Sequence, residues 1–365
     1  MRPAAGPAAF VVPAAIRGAG DTPSGGNTYN TEVVNAWPGG ALPVETLPVA
    51  GSWPWPSEED RRRFAQVLAG RGVALVDGLI GSCCPREIED AVAAGTHVVL
   101  LVHLPLPAET DLSPQQAQVL ADAERAAVAA ASAVIATSGW AARDVERRYP
   151  GAGPVGVALP GTRPAALAAG SEPPQFLVLA SLTPRKNHAV VVAALEALAD
   201  RDWRCQFAGP IPADPAVSAD LRAALRASPV TDRITVTGAL TDAALATVWA
   251  ATDLVLLPSL IETFGLVVTE AFAHGIPVIV AGGSGAVEAL CGGDPALLPE
   301  GERPGAVADP GDPHAWARLV GRWLDEDDLR RRWREQALVR RERGRAWSVT
   351  AQELASALMI WPDGS

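Results

Sequence analysis

DLVLLPSLIETFGLVVTEAFAHGIPVIVAGGSGAVEAL, residues 253–290, is the stretch of this 365-residue chain that decides its fold. The short apolar runs at 253–257 and 276–281 are typical of strands that are buried on both faces of a parallel sheet. A helix is predicted after each run, with Thr263 capping the first helix and a glycine-rich turn before the second. Each strand end then meets a helix N-terminus, whose free N–H groups suit phosphate.

Two glutamates of this stretch are eight residues apart in the sequence, Glu262 before the first helix and Glu270 on it. At 1.5 Å per residue, this spacing corresponds to roughly 12 Å along a helix. Carboxylates accept hydrogen bonds from hydroxyls and are repelled by phosphates, so the pair favours a ligand with hydroxyls at both ends and charge in the middle. A nucleoside diphosphate sugar has this pattern, and Gly265 would let it approach the first turn closely.

The segment from Glu262 to Glu270, ETFGLVVTE, followed by AFAHGIPVIV and a glycine turn, resembles the E-x7-E signature of family 4 retaining glycosyltransferases. The resemblance implies the GT-B fold, an α/β architecture of two doubly wound Rossmann-like domains facing each other across a cleft. It also implies transfer of a sugar, a hexose or a related one, from a nucleoside diphosphate sugar with retention of anomeric configuration and without a metal. The attack would come from the front face, with the leaving diphosphate helping to deprotonate the acceptor. The donor is a substrate, so no cofactor is expected.

Composition limits the partners and the location that we expect. The net charge of -11 disfavours nucleic acid, because no basic field would gather its phosphates. No apolar run reaches the length of a membrane span, so we expect a cytoplasmic protein, while peripheral membrane contact and the oligomeric state stay open. The high Ala, Arg and Gly content indicates a GC-rich bacterial source. Four scattered cysteines without metal-ligand spacing predict buried, reduced thiols: Cys83, Cys84, Cys205 and Cys291.

Apolar runs alternate regularly with Ala-rich helical segments, which predicts two α/β domains. The first, residues 1–161, is the expected acceptor-side domain. A Pro-, Gly- and Ala-rich stretch at 162–175 has the composition of a linker. Residues 176–345 form the predicted sugar-nucleotide domain. The resemblance implies that the last helix, within 346–365, packs back on the first domain.

Glycines near the start of the chain are candidates for a ligand loop. Gly25 and Gly26 are predicted at a strand-to-helix turn, where a phosphate or the acceptor would meet the helix start. An ordinary turn is the alternative, because two adjacent glycines are a weak signal. Asp21, Asn27 and Tyr29 are candidates for the acceptor side.

His103 ends the predicted strand at 97–103, on the side where open α/β sheets bind ligands. Taken alone, a histidine in this place is more often structural. The resemblance assigns to it a contact with the donor sugar. Asp77, near the end of the predicted strand at 73–79, is interpreted as a residue that shapes the turn before a glycine.

Arg185 and Lys186 follow the first strand of the second domain in the loop TPRKNH. Basic groups there can neutralise a diphosphate, although most surface Arg-Lys pairs are simply solvated. PRKN resembles the phosphate-binding loop of the family, with Lys186 in the place of its lysine. The chain departs from the family pattern at Ala180-Ser181, where many members carry glycine and arginine. Arg185 is the candidate replacement for that arginine.

The resemblance completes the predicted site. Glu262 would hold sugar hydroxyls, Glu270 would bind the ribose, and the turn after ITVTG, residues 234–238, would lie near the base. The predicted catalytic residues are His103, Glu262, Lys186 and Arg185. The predicted donor-binding residues are Gly25, Gly26, Glu270, Thr263, Phe264, Gly265, Gly238 and Leu240.

Two alternatives to a transferase remain. A sugar-nucleotide epimerase or hydrolase would use the same fold, since a fold alone does not define a reaction. A non-catalytic sugar-nucleotide-binding subunit is the other alternative, and the departure at Ala180-Ser181 supports it. Against the non-catalytic alternative stand four residues together, because a degenerate site would not be expected to keep them all: Glu262, Glu270, Lys186 and His103. The sequence names neither the sugar, the base nor the acceptor, which is a small molecule, a glycan or a lipid. Acceptor choice is expected in the loops at 17–30, 50–57 and 104–113.

Overall fold

The computed structural model describes residues 6–14, 24–39, 42–110 and 112–359. The chain folds as two compact units, one formed by residues 1–161 and 345–365 and the other by residues 162–344. Asp21, one of the acceptor-side candidates, lies outside the described residues. None of the helices described is both long and apolar enough to cross a membrane.

Strands in the described part of the chain form one parallel sheet in each unit. The first sheet contains β1 (Ala8–Pro13), β2 (Val44–Val49), β3 (Val73–Asp77), β4 (His97–Val102), β5 (Ala133–Ala136) and β6 (Gly156–Val157). The second contains β7 (Gln175–Leu179), β8 (Arg204–Ala208), β9 (Ile234–Gly238), β10 (Leu254–Leu257), β11 (Val278–Ala281) and β12 (Gly305–Ala308). The expectation of two doubly wound α/β sheets is confirmed.

Helices connect most of these strands. In chain order the described helices are α1 (Gly25–Asn35), α2 (Glu58–Leu68), α3 (Gly78–Gly81), α4 (Pro85–Ala93), α5 (Pro114–Ala130), α6 (Gly139–Arg148), α7 (His188–Glu196), α8 (Ala219–Ala227), α9 (Asp242–Ala251), α10 (Leu266–Ala273), α11 (Ala286–Cys291), α12 (Pro313–Asp325), α13 (Asp327–Glu342) and α14 (Trp347–Met359). Since all strands of a sheet run in the same direction, the loops after them meet at one edge of that sheet.

The order of the strands marks where ligands bind in such sheets. The first sheet has the order β2-β1-β3-β4-β5-β6, and the second has the order β12-β11-β10-β7-β8-β9. In the second sheet the chain winds outward from β7 in one direction and then from β10 in the other. β7 and β10 are hydrogen-bonded neighbours. The gap beyond their carboxyl ends is therefore a topological switch point, the usual ligand crevice of an open α/β sheet.

Each sheet is covered by its own hydrophobic core. The apolar runs that predicted buried strands are fully buried in β3, β4, β10 and β11. Burying such strands on both faces is the main source of stability for these units. The four cysteines are buried and form no disulfide bonds, as the sequence predicted.

The last helix belongs to the first unit. α14 packs against α1 and β3. Trp347 on α14 meets the ring of Tyr29 edge-on, with centroids 5.4 Å apart. Thr350 on the same helix donates a hydrogen bond to the carbonyl of Leu159 at 2.6 Å.

The predicted linker, residues 162–175, has no helix or strand before β7 begins at Gln175, and it is hydrogen-bonded within the second unit. The backbone N–H of Ala168 donates to the carbonyl of His274 at 2.9 Å. Arg334 and Arg341 on α13 donate to the carbonyls of Ala168 and Ala165 at 2.6 and 2.7 Å. These bonds hold the segment on the second unit.

Two predicted helix starts were wrong. α1 begins at Gly25, so Gly25 and Gly26 lie in its first turn and not in a turn before it, because Ser24 caps the helix by accepting a hydrogen bond from the N–H of Asn27 at 3.1 Å. α10 begins only at Leu266, and its N-cap is Gly265 rather than Thr263.

The reason for the second error is the backbone at Gly265. Its φ of 89° is left-handed, so the chain turns sharply before the helix and no threonine side chain caps it. Residues 262–265 are consequently not helical. The estimate of 12 Å along a helix between Glu262 and Glu270 therefore does not apply.

Candidate active site

The switch point of the second sheet brings the predicted phosphate and sugar residues together. Lys186 ends a short 3₁₀ turn that follows β7, and Glu262 lies in the loop that follows β10. The two side chains form an ion pair. Only 15% of the lysine side chain and 13% of the glutamate side chain is exposed, so water screens this pair poorly.

The charge of Glu262 is stabilised by its neighbours. Burial pushes the pKa of its carboxyl upward, but the ammonium of Lys186 and the guanidinium of Arg185 outweigh burial and hold the pKa below its usual range. Glu262 is therefore an ionised carboxylate at neutral pH.

Arg185 ties the same two loops together through backbone groups. Its Nη1 donates to the carbonyl of Ile261 at 3.2 Å, and its own carbonyl accepts the N–H of Leu260 at 2.9 Å. The guanidinium thus lies beside Glu262, as expected if it adds positive charge to this loop.

Asn187 shapes the loop, and sequence reasoning missed it. Its φ of 52° is left-handed, a conformation that asparagine tolerates better than most residues. Its side-chain amide donates to the carbonyls of Pro258 and Pro310 at 3.2 and 2.8 Å. The PRKN motif thus supplies a structural asparagine together with its two cations.

The glycine turn after β11 is packed against the loop that carries Glu262. The backbone N–H of Gly285 donates to the carbonyl of Glu262 at 2.7 Å. A Cβ on Gly285 would lie 1.9 Å from the carbonyl oxygen of Thr263, so only glycine fits there. The hydroxyl of Ser284, in the same turn, is buried and has no hydrogen-bond partner among the described residues.

The other predicted donor residues of this stretch lie on or just before α10. Phe264 is buried, whereas Thr263 and Glu270 are half-buried. The backbone carbonyl of Glu270 accepts the N–H of His274 at 3.2 Å, which places this glutamate inside the helix. Gly265 is needed at this position because its φ of 89° is left-handed.

The predicted base-binding turn follows β9. Gly238 has a left-handed φ of 72°, and its carbonyl accepts the N–H of Gly209 at 2.9 Å. Leu240 is half-buried. Ile211, 44% exposed, has its Cδ1 3.7 Å from where a Cβ on Gly238 would lie. Ile211 therefore adds an apolar side chain beside Gly238, and no sequence motif pointed to it.

A second set of site residues lies in the first unit, at the carboxyl ends of β3 and β4. His103 directly follows β4 and is 16% exposed in its side chain. Its Nε2 lies 2.9 Å from Oδ1 of Asn30 and 3.4 Å from Oδ2 of Asp77. Two acceptors face this nitrogen, so Nε2 carries a proton and donates it.

Asp77 contacts both His103 and the backbone of the turn that follows β3. Its Oδ2 accepts the side-chain amide of Asn30 at 2.5 Å, and its Oδ1 accepts the N–H of Leu79 at 2.8 Å. Burial raises the pKa of Asp77, but the neighbouring His103 ring and these hydrogen bonds reverse that effect and leave the pKa below its usual range. The interpretation of Asp77 as a turn residue was incomplete. A signal was present, since Asp77 and His103 end neighbouring strands.

Tyr29 and Gly26, two further residues predicted for the site, lie next to His103. Tyr29 meets the His103 ring edge-on at 5.1 Å and donates its hydroxyl to the carbonyl of Ala158 at 2.9 Å. Only 1% of Tyr29 is exposed, so its side chain packs beneath the histidine and does not line an acceptor surface. Asn27 is half-buried. A Cβ on Gly26 would lie 3.4 Å from Cδ2 of His103, which places this glycine directly beside the histidine, whereas Gly25 is exposed.

Within residues 6–14, 24–39, 42–110 and 112–359, no group of three or more His, Cys, Asp or Glu side chains is placed to hold a metal ion. The predicted site residues thus fall into two sets. Lys186, Arg185 and Glu262 lie together in the second unit, and His103 and Gly26 lie together in the first.

Solved structures with the same architecture identify the fold. Sucrose-phosphate synthase of Thermosynechococcus elongatus superposes with a TM-score of 0.77 at 19% identity, covering 96% of this chain and 98% of that chain. HepE of Anabaena in complex with UDP-glucose gives a TM-score of 0.74 at 18% identity, covering 97% and 99%. The fold is therefore that of the GT-B glycosyltransferases.

The family match falls on the second unit. Residues 162–340, just under half of the chain, match the family model of the glycosyl transferases group 1. D-inositol 3-phosphate glycosyltransferase of Corynebacterium glutamicum is 37% identical over 180 residues, which are 48% of this chain and 40% of that protein. The chain thus spans less than half the length of the curated relative that it matches. Over residues 162–340 the chain is therefore similar to the glycosyl transferases group 1.

Proposed function

We propose that this protein is a retaining glycosyltransferase that moves a sugar from a nucleoside diphosphate sugar to an acceptor. The observation that carries the proposal is the sheltered ion pair of Lys186 and Glu262 at the switch point of the second sheet. The pair supplies a cation for a diphosphate and a carboxylate for sugar hydroxyls in one place.

Positive charge at this loop would stabilise the leaving diphosphate. Lys186 and Arg185 both lie at the loop after β7, and the N-terminus of α10 follows the loop after β10. Fixed cations and helix N–H groups stabilise charge that develops on a leaving group, and they need not reorganise during the reaction. In the proposal the diphosphate itself helps to deprotonate the acceptor, so the site needs no covalent nucleophile.

The remaining roles are assigned residue by residue. Glu262 would bind hydroxyls of the donor sugar, and Glu270 would bind those of the ribose. His103, oriented by Asn30 and Asp77, would contact the sugar through its ring. Arg185 would take the place of the arginine missing at Ser181, because its guanidinium lies beside Glu262.

The comparisons support a nucleotide sugar as the donor class. HepE of Anabaena has been solved in complex with UDP and with UDP-glucose. The name of the corynebacterial relatives mentions an inositol phosphate, but the match spans less than half of each chain. The acceptor of this protein is therefore left as a small molecule, a glycan or a lipid.

A cytoplasmic location and independence of metal are part of the proposal. The location is supported by the four buried cysteines, which form no disulfide bonds and so suit a reducing compartment. Independence of metal is supported by Lys186 and Arg185, which would neutralise the diphosphate in place of a cation.

A ligand screen followed by product analysis tests the proposal. Bound donor should raise the melting temperature, so UDP-, GDP-, ADP- and TDP-linked sugars are compared by thermal shift. The best donor is then incubated with candidate acceptors, and the anomeric configuration of the product is read by NMR. Retention is expected. Inversion would exclude the proposed mechanism, and donor turnover to a free sugar or an epimer alone would favour the two enzyme alternatives.

A further inference from the structure

Lys186 stands out in the composition of the chain. It is the only lysine among the 30 lysine and arginine residues of the sequence. Arginine binds carboxylates through a rigid planar fork, whereas the lysine ammonium is a compact point charge on a flexible stem with three donors. A lysine can exchange one anionic partner for another without the loss of a bidentate geometry. The position where this chain uses its single lysine is therefore suited to an exchange of partners.

The partner of Lys186 in the ligand-free protein is Glu262. The pair is sheltered, with 15% and 13% of the two side chains exposed. Arg185, the next cation of the loop, is bonded to the carbonyl of Ile261, one residue before Glu262. Both cations that would meet a diphosphate are thus already engaged by the loop after β10.

A diphosphate that binds Lys186 has to compete with Glu262. A bare nucleoside diphosphate brings negative charge beside this carboxylate and offers it no hydroxyl of a sugar. A nucleoside diphosphate sugar brings the same charge together with hydroxyls, which can donate to Glu262 in place of the ammonium. In the complex with the nucleoside diphosphate sugar, the sugar hydroxyls replace the hydrogen bond that Glu262 loses. In the complex with the bare nucleoside diphosphate, nothing replaces it and the phosphates repel the carboxylate.

We infer that Glu262 acts as a displaceable counter-ion of Lys186, and that this exchange makes the site prefer a nucleoside diphosphate sugar over the nucleoside diphosphate product. The inference rests on the proposed function. It adds to the hydroxyl-binding role of Glu262 a second role, which is selection against the product. Once the sugar has left, Glu262 pairs with Lys186 again and weakens the hold on the diphosphate.

The test compares UDP with UDP-glucose on the full chain by calorimetry, with GDP and GDP-mannose or ADP and ADP-glucose as further pairs. Glu262→Gln keeps the size of the side chain and removes its charge. UDP is expected to bind the variant about 10-fold more tightly, because Lys186 is released and the repulsion is gone. UDP-glucose is expected to bind about 10-fold more weakly, because neutral hydrogen bonds replace charge-assisted ones.

A matched control removes the same charge elsewhere in the second unit. Glu335→Gln changes an exposed glutamate on α13. Both dissociation constants are expected to stay within about twofold of the wild type, because a distant exposed charge is screened. If Glu335→Gln tightens UDP binding as much as Glu262→Gln does, the effect is a general one of net charge and the inference is wrong.

The single lysine gives an independent readout. Acylation of amines, mapped by peptide mass, reports on Lys186 without interference from other side chains. An ammonium held in an ion pair is a poor nucleophile, so Glu262→Gln should be acylated several-fold faster than the wild type. If Glu262→Gln does not fold, Glu262→Asp replaces it, because the shorter side chain withdraws from Lys186, and faster acylation is again expected.

Two failures are distinguishable. If none of these nucleotides binds the wild type, and neither TDP nor a TDP-linked sugar does, the proposed function falls and the inference falls with it. If one pair binds the wild type but the affinity for its nucleoside diphosphate does not rise in the folded variant, the proposed function stands and the counter-ion role is wrong.

Discussion

The backbone N–H of Gly285 donates a hydrogen bond to the carbonyl of Glu262, with 2.7 Å between the two atoms. This bond joins the glycine turn after β11 to the loop after β10. A side chain at Gly285 would meet the backbone of Thr263 at 1.9 Å. The position of the Glu262 carboxylate therefore depends on a glycine 23 residues further along the chain.

Gly285→Ala should displace the loop that carries Glu262. We expect a destabilisation of about 1–3 kcal/mol, as for other overpacked sites, with a loss of donor binding. Thermal unfolding and calorimetry with the donor measure the two effects. Gly301→Ala is the matched control, because a Cβ there meets nothing within 4 Å. Equal effects of the two substitutions would show that the contact with Thr263 does not matter.

Asp77→Asn should impair activity through His103, which Asp77 and Asn30 orient. We expect kcat/KM to fall by at least about tenfold, since an oriented acid-base or hydrogen-bonding group typically contributes that much or more. The folded-state pKa of Asp77 is lowered, so its stabilising effect is present at neutral pH and is lost as the pH falls through that low pKa. The loss of melting temperature in Asp77→Asn should therefore be larger at pH 7 than at pH 3, which lies below the pKa of an ordinary aspartate. A loss that is the same at both pH values would contradict the charged state of Asp77.

His188 should make the second unit sensitive to acid. Its ring is 2% exposed, neither ring nitrogen has a hydrogen-bond partner among the described residues, and burial lowers its pKa from 6.5 to about 3. The unfolded chain binds a proton below pH 6.5 and the folded chain does not, so stability falls as the pH drops from 6.5 towards 3.

His188→Leu removes this titration. Between pH 7.5 and pH 5 the variant should lose about 2 kcal/mol less free energy of unfolding than the wild type. Urea unfolding at the two pH values measures the difference. His314→Leu, at an exposed position in the first turn of α12, serves as the control. A parallel pH dependence of the wild type and His188→Leu would show that His188 titrates normally.

Glu270→Ala should weaken nucleotide binding through the ribose. We expect the dissociation constant for UDP to rise by about tenfold, as for the loss of a charge-assisted hydrogen bond. A 2′,3′-dideoxy analogue lacks the hydroxyls that Glu270 would bind, so its affinity should be equal for the wild type and the variant. An equal loss for both nucleotides would place Glu270 outside the ribose site.

Removal of divalent cations should leave transfer unchanged. Lys186 and Arg185 supply the positive charge in the proposed mechanism, so EDTA is expected to change the initial rate by less than about twofold. Restoration of a lost rate by Mg²⁺ or Mn²⁺ would show that a metal shares the role assigned to these cations.

Much of the architecture could be predicted from the sequence. Strands that are buried on both faces of a parallel sheet have continuous apolar runs, and β10 and β11 have such runs. The sequence also predicted that Lys186 and Glu262 lie at the same edge of the sheet. Each follows a strand, and the carboxyl ends of parallel strands meet at one edge. Three details did not follow. The left-handed Gly265 starts α10 later than a threonine cap would, and the fit of Gly285 depends on a backbone carbonyl that no pattern reports.

The third detail is the contact of Asn30 with Asp77, which joins side chains 47 residues apart. Helical periodicity cannot predict which side chain of α1 reaches the end of β3. The site of the first unit was therefore identified through His103 alone, and only the structure showed the carboxylate and the amide that hold it.

The path of the chain between the two units has a consequence for synthesis on the ribosome. Residues 162–344 of the second unit are contiguous, whereas the first unit needs residues 345–359 for the helix that packs on α1 and β3. The unit that emerges first from the ribosome is consequently the one that is completed last. Until α14 has been made, Trp347 cannot pack against the ring of Tyr29, so the first unit lacks this contact during synthesis.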